Sequence, residues 1–188
     1  DDQVPLSSNP NYPRLMYGFG AEFRWKKLTL GLLFKGVGNV ENYVVDYWKS
    51  GSGFLPFGTG TTGNVLAITA NQGNRWTPRE ISGTPATENP NAMFPRLSYG
   101  NDHNSVQNST FWKTNARYLR LQEINLSYNF TSGKILKAVG VSSLDLQFVA
   151  SNVCVWSPFK HWDPELAAYN GTAYPIPARY AFQMYINF

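Results

Sequence analysis

The sequence predicts an all-β fold: five antiparallel strands that form the C-terminal part of a larger transmembrane β-barrel. Three observations predict it. Apolar and polar residues alternate over stretches of about ten residues, the span of a membrane-crossing β-strand. The connections between these stretches run short, long, short, long, and in a chain of hairpins that places every long loop at one end of the sheet. The composition is 43% hydrophobic and 15% aromatic, but only 15% charged, against about 25% charged in an ordinary soluble domain.

The first strand covers 15–25. Tyr17, Phe19, Ala21, Phe23 and Trp25 share one parity, and Gly18, Gly20, Glu22 and Arg24 the other. Successive side chains of a strand point to opposite faces, so this strand has one apolar and one polar face. Lys26 and Lys27 make a tight turn. The second strand covers 28–37, with Leu28, Leu30, Leu32 and Phe34 opposite Thr29, Gly31 and Lys35. Alternation then stops, and 38–116 reads as a long loop rich in Gly, Pro, Asn, Ser and Thr. One piece of it predicts a helix: Val40, Tyr43, Val44, Tyr47 and Trp48 have helical stripe spacing, with Asn39 as N-cap. The third strand covers 118–130, with Ile124, Leu126, Tyr128 and Phe130 opposite Glu123, Asn125, Ser127 and Asn129. The fourth covers 141–152, with Leu144, Leu146, Phe148 and Ala150 opposite Ser143, Asp145, Gln147 and Ser151. A second long loop covers 153–177. The fifth strand covers 178–188, and Tyr180, Phe182, Met184, Ile186 and Phe188 carry its apolar parity.

In a membrane the apolar parity faces lipid and the polar parity a wet lumen. In a soluble β-sandwich, such as a carbohydrate-binding module, the apolar parity faces a second sheet. Periodicity alone does not separate these readings. Five strands do not close a barrel, since eight is the usual minimum, so the chain reads as part of something larger or as a small barrel closed by oligomerisation. It opens on Asp1 with no signal-peptide pattern.

Several function classes have little support. The net charge is +4 with no basic stripe, which argues against nucleic-acid binding. A single cysteine, Cys154, and two distant histidines, His103 and His161, supply no metal-ligand spacing. No catalytic pair of residues emerges, so neither an enzyme nor a cofactor is expected.

Four segments together resemble the C-terminal end of SusC/RagA-type TonB-dependent outer-membrane transporters: "NRWTP" (74–78), "FWKTNARYLRLQEINLSYNF" (111–130), "LKAVGVSSLDLQFVASNVCVWSPFKHWDPE" (136–165) and "YPIPARYAFQMYINF" (174–188). The resemblance implies a barrel of about 22 strands with a plugged lumen, of which this chain supplies the last five. The plug and earlier strands lie outside it. It also implies import of oligosaccharides or peptides across the outer membrane of a Gram-negative bacterium. The implied partners are a SusD-like surface lipoprotein, the TonB complex acting through the missing N-terminal part, the barrel-assembly machinery and outer-membrane lipid. Tyr180, Phe182, Met184, Ile186 and Phe188 resemble the terminal signal that this machinery reads.

Candidate contacts to cargo or to the lid lipoprotein are Trp48, Trp112, His161, Trp162, Asp163 and Tyr169. Aromatic faces bind sugar rings and peptide side chains through apolar burial. The competing role for each is packing inside the long loops, which need a small core of their own. For Asp163 and Glu165 it is a turn fixed by Pro164. Trp156 reads as a girdle residue at the membrane interface.

Overall fold

The computed structural model describes residues 12–44, 67–97, 109–131, 133, 138, 140–169 and 173–188. The strands are β1 (Leu15–Trp25), β2 (Leu28–Gly38), β3 (Glu41–Tyr43), β4 (Lys113–Asn115), β5 (Tyr118–Phe130), β6 (Ser143–Trp156) and β7 (Arg179–Asn187). Two compact units result. One, from segments 13–40, 116–158 and 175–188, is an antiparallel sheet in the order β1-β2-β5-β6-β7. The other is built from the two long inserts, 41–115 and 159–174, together with the N-terminal segment.

The register of the sheet sorts its side chains into rows, because directly opposed residues lie on the same face. Phe23, Leu30, Leu126, Phe148 and Phe182 are opposed in succession from β1 to β7, and so are Trp25, Leu28, Tyr128, Leu146 and Met184. Each row is apolar across the whole sheet. Aromatic contacts bind neighbouring strands, with Phe19 stacked on Phe34 at 5.0 Å and Phe148 against Phe182 at 4.8 Å. The opposite face carries the row Arg24, Thr29, Ser127, Gln147 and Gln183. Every residue of β1 and of β7 is exposed, so both edges of the sheet and its apolar face are open among the described residues.

Two irregularities keep the apolar face continuous along the strands. On β5 the register shifts at Gln122, an extra residue relative to β2. Without the shift, Leu121 and Leu119 would leave the apolar face, since one residue reverses the parity of a strand. With it, Leu121 opposes Phe34 and Cys154, while Arg120 opposes Lys35 on the polar face. On β6 the two residues Asn152 and Val153 fall opposite Gln122, so Cys154 keeps the parity of Ala150 and stays in register with Leu121. Asn152 has φ 55, a left-handed conformation that Asn tolerates better than most residues. Its side-chain amide donates to the Pro177 carbonyl at 3.3 Å. Pairing then continues, so β6 runs to Trp156, past the end expected at 152, and the second insert begins correspondingly later. Cys154 and Trp156 emerge on the apolar face.

The helix expected from Val40 to Trp48 is not formed where the chain is described. Asn39 has φ 52 and turns the chain, and Glu41–Tyr43 is extended against Lys113–Asn115. The ladder is continued by the Val44 amide to the Trp112 carbonyl at 3.0 Å. The physical reason lies at Asn42. Val40, Asn42 and Val44 are the buried residues, so the true period is two. A polar residue at the middle buried position hid the alternation and left an apparent helical stripe. Residues 45–50, including Tyr47 and Trp48, lie outside the described residues.

One glycine is fixed by a close approach. The Tyr17 ring lies over Gly36, its register partner, and its hydroxyl donates to the Tyr118 carbonyl at 3.4 Å. A Cβ on Gly36 would come within 2.3 Å of that ring. Gly36→Ala is therefore expected to drive the ring off β2 and cost about 1–2 kcal/mol. Gly31→Ala, where the nearest atom is 3.7 Å away, is expected to be neutral. Thermal unfolding of the folded barrel in detergent, compared for the two variants, checks this.

Candidate functional site

The sheet contributes a polar wall. Gln147 Nε2 donates to Asn125 Oδ1 at 2.9 Å, the Asn129 amide donates to the Asp145 carboxylate, and Asn187 Nδ2 donates to Ser143 Oγ at 2.8 Å. Arg24 pairs with Glu22 on the same face. A shallow depression in this wall is lined by Glu22, Thr29, Asn125, Asp145, Gln147 and Tyr185. Short amides and hydroxyls here satisfy one another and leave a wettable surface, suited to face water or polar solutes.

The insert unit has an aromatic centre contributed by both long inserts. Phe94 and Trp112 come from the first, and Phe159, His161 and Trp162 from the second. Phe94 lies 6.4 Å from Trp112 and 5.5 Å from His161. Phe159 meets His161 and Trp162 edge-on, each at 5.1 Å. The segment bearing Phe94 is held in turn by backbone bonds, Trp76 amide to Phe94 carbonyl at 2.9 Å and Phe94 amide to Asn74 carbonyl at 3.0 Å. Thus "NRWTP" serves as a docking strip for Phe94.

The sequence candidates fall into distinct places. Trp112 is 3% exposed and is a core residue of this unit. His161 and Trp162 are half-buried beside it in the same cluster, with the Trp162 Nε1 donating to the Leu166 carbonyl at 3.1 Å. Asp163 Oδ1 accepts from the Glu165 amide at 3.0 Å and so caps the 3-10 turn Pro164–Tyr169. Tyr169 ends that turn, but its side chain lies outside the described residues, as does all of Trp48. Tyr180, Phe182, Met184, Ile186 and Phe188 are all exposed, and the four that lie within β7 form the outermost strip of the apolar face. Among the described residues no group of three or more His, Cys, Asp or Glu side chains gathers to hold a metal.

Sequence reasoning missed three residues. Phe94 and Phe159 are the buried centre of the insert unit. Phe111 is 55% exposed and packs edge-on against Trp112 at 4.8 Å. Of this adjacent pair Phe111 is the outward aromatic, and Trp112 takes the packing role weighed for it above. A signal existed for the first two, each an isolated Phe beside Pro in a polar loop, a common pattern for an anchor.

Burial lowers the His161 pKa from its ordinary 6.5. Among the described residues its buried Nδ1 meets no hydrogen-bond partner, and its ring packs against Phe94, Phe159 and Trp162.

No family model matches the chain. TonB-dependent receptor P26 of Formosa agariphila is 26% identical over 204 residues, an alignment that takes in 100% of this chain and 18% of the receptor. A chain of the RagAB peptide importer in its open-open state superposes with a TM-score of 0.58 and 18% identity, over 94% of this chain and 17% of its own. The same importer in its closed-closed state gives a TM-score of 0.60 with 20% identity, over 94% and 17%. The chain thus has the fold of part of a RagA-type transporter barrel and spans under a fifth of these relatives. The SusC/RagA resemblance read from the sequence is borne out.

Because unfolded His161 binds a proton near pH 6.5 and the buried imidazole does so only at lower pH, the unfolded state takes up more protons in between. Stability of the insert unit is then full above pH 6.5 and falls as pH drops below it. The protection of amides across 159–166 against hydrogen exchange, after correction for the pH dependence of intrinsic exchange, is expected to fall from about pH 7.5 to about pH 5, and His161→Phe to flatten that dependence.

Proposed function

We propose that this chain is the C-terminal barrel segment of a TonB-dependent outer-membrane transporter that imports oligosaccharides or peptides with a SusD-like surface lipoprotein. The observation that carries the reading is an apolar face that crosses five strands, lies open among the described residues, and is backed by a polar face. In water such a face would cost about 25 cal/mol for each exposed Å², whereas in a bilayer hydrocarbon covers it. The likeness to RagA-type barrels supports the same reading.

The alternative of a soluble β-sandwich needs a second sheet over Phe23, Leu126, Phe148 and Phe182. The only other sheet among the described residues is the β3–β4 pair, three residues in each strand. In the transporter reading β1 pairs with an earlier strand of the barrel, β7 closes on the first, and the plug meets the polar wall. The two long inserts leave the sheet at one end, opposite the short turns, and face the cell exterior. Their shared aromatic core makes them one external element, able to touch the lipoprotein or the cargo as it enters. Phe111, Trp162 and the Asp163–Tyr169 turn are the residues of that element we assign to such contact.

Two substitutions in the complete transporter test the assignment. Phe111→Ala removes an exposed aromatic and leaves the core, so folding is unchanged. If Phe111 anchors a contact, lipoprotein binding or cargo uptake falls by about thirtyfold, the effect of some 2 kcal/mol. Trp112→Ala instead opens a cavity and destabilises the insert unit by about 3–5 kcal/mol. Uptake that survives loss of TonB, or binding and uptake that change less than threefold in Phe111→Ala with a normally folded barrel, would overturn the respective parts of the proposal.

A further inference from the structure

We propose that the apolar face carries a binding site for one anionic phospholipid, with an acyl chain in a groove across β2, β5, β6 and β7 and the phosphate at the Lys26–Lys27 turn. The inference rests on the barrel reading above. The groove is lined by Leu28, Leu126, Tyr128, Leu146, Phe182 and Met184, together with Phe148. In register, Leu146 lies between Tyr128 and Met184, and Leu126 beside Phe148. Aliphatic side chains between aromatic ones leave a hollow of the kind a flexible hydrocarbon chain fills. Its walls are almost wholly apolar, so it offers nothing to a polar solute.

What sets this groove apart from the rest of the apolar face is the charge at its end. Leu28 is the first residue of β2 and directly follows Lys27. Opposite Leu28 in register is Trp25, and the Lys26 ammonium lies 5.0 Å from the centre of its ring. Lys26 has φ 55, and the Asn129 amide donates to the Lys27 carbonyl at 3.0 Å. The turn is thereby fixed against β5 beside the groove. A Trp and two Lys at the end of a membrane strand stand at headgroup depth, where aromatic rings and ammonium groups gather. Two lysines in the turn that borders the groove match a phosphate joined to an acyl chain. A free phosphate lacks the chain, and a zwitterionic lipid brings its own cation to the phosphate, which two lysines disfavour. The short-turn end of the sheet fixes the leaflet, the one facing away from the long inserts.

The test uses the complete transporter, reconstituted in nanodiscs of palmitoyl-oleoyl phosphatidylglycerol and phosphatidylcholine in equal amounts, released into detergent and analysed by native mass spectrometry. Wild type is expected to retain phosphatidylglycerol in preference to phosphatidylcholine. The pair Lys26→Asn and Lys27→Gln keeps the turn, because Asn accepts a positive φ. It is expected to reduce the preference by about fivefold for each charge removed. Leu146→Phe fills the groove and leaves both lysines. It is expected to remove retention of either lipid at this site. Equal retention of the two lipids by wild type, or an undiminished preference in the lysine pair, overturns the lipid site and leaves the barrel reading standing. A transporter recovered from cells in soluble form, without membranes, removes both.

Discussion

The sheet is one layer thick, and everything else in the chain follows from what must cover its apolar face. Rows such as Phe23–Leu30–Leu126–Phe148–Phe182 are continuous from edge to edge, so the face works as a single surface. Water is a poor solvent for it and hydrocarbon a good one. In hydrocarbon, however, each backbone amide and carbonyl must be paired within the protein. The register of four antiparallel pairings provides this for the inner strands, while β1 and β7 each leave an edge that only further strands can satisfy.

Continuity of the face also explains the irregularities. An extra residue at Gln122 and the left-handed Asn152 would be defects in a regular ladder. Here the first brings Leu119 and Leu121 to the side of Ile124 and places Arg120 beside Lys35 on the other, and the second keeps them in register with Cys154 and Trp156, which share the parity of Ala150. Gly36 serves the same surface by letting the Tyr17 ring lie flat across β2. Cys154 occupies a position on the apolar face, opposite Leu121, where a thiol behaves as a small hydrophobe.

The inserts solve a different problem. A long connection without a core costs conformational entropy and gains nothing. Two of them leaving the same end of the sheet share one aromatic centre, with Phe94 and Trp112 from one and Phe159, His161 and Trp162 from the other. The capped turn at Asp163 and the ladder between β3 and β4 carry backbone groups that side chains alone would leave unsatisfied. This division of labour separates Trp112, which holds the element together, from Phe111, which it displays.

The five long strands and their two faces were legible in the sequence because a period of two is a local property, set by the chain's own geometry. So was the resemblance to SusC/RagA transporters, which ordered motifs carry along the chain. What only the tertiary structure decided depends on partners distant in sequence. The segment at Val40 became a strand because Lys113–Asn115 was there to pair with it and because Asn42 could be buried. The parity of Leu119 and Leu121 was settled by a bulge that exists only relative to β2. Trp112 is buried against Phe94, a residue distant in sequence, while its neighbour Phe111 stays exposed. Adjacent aromatic residues look alike to any local pattern, and only the neighbour that covers one of them tells them apart.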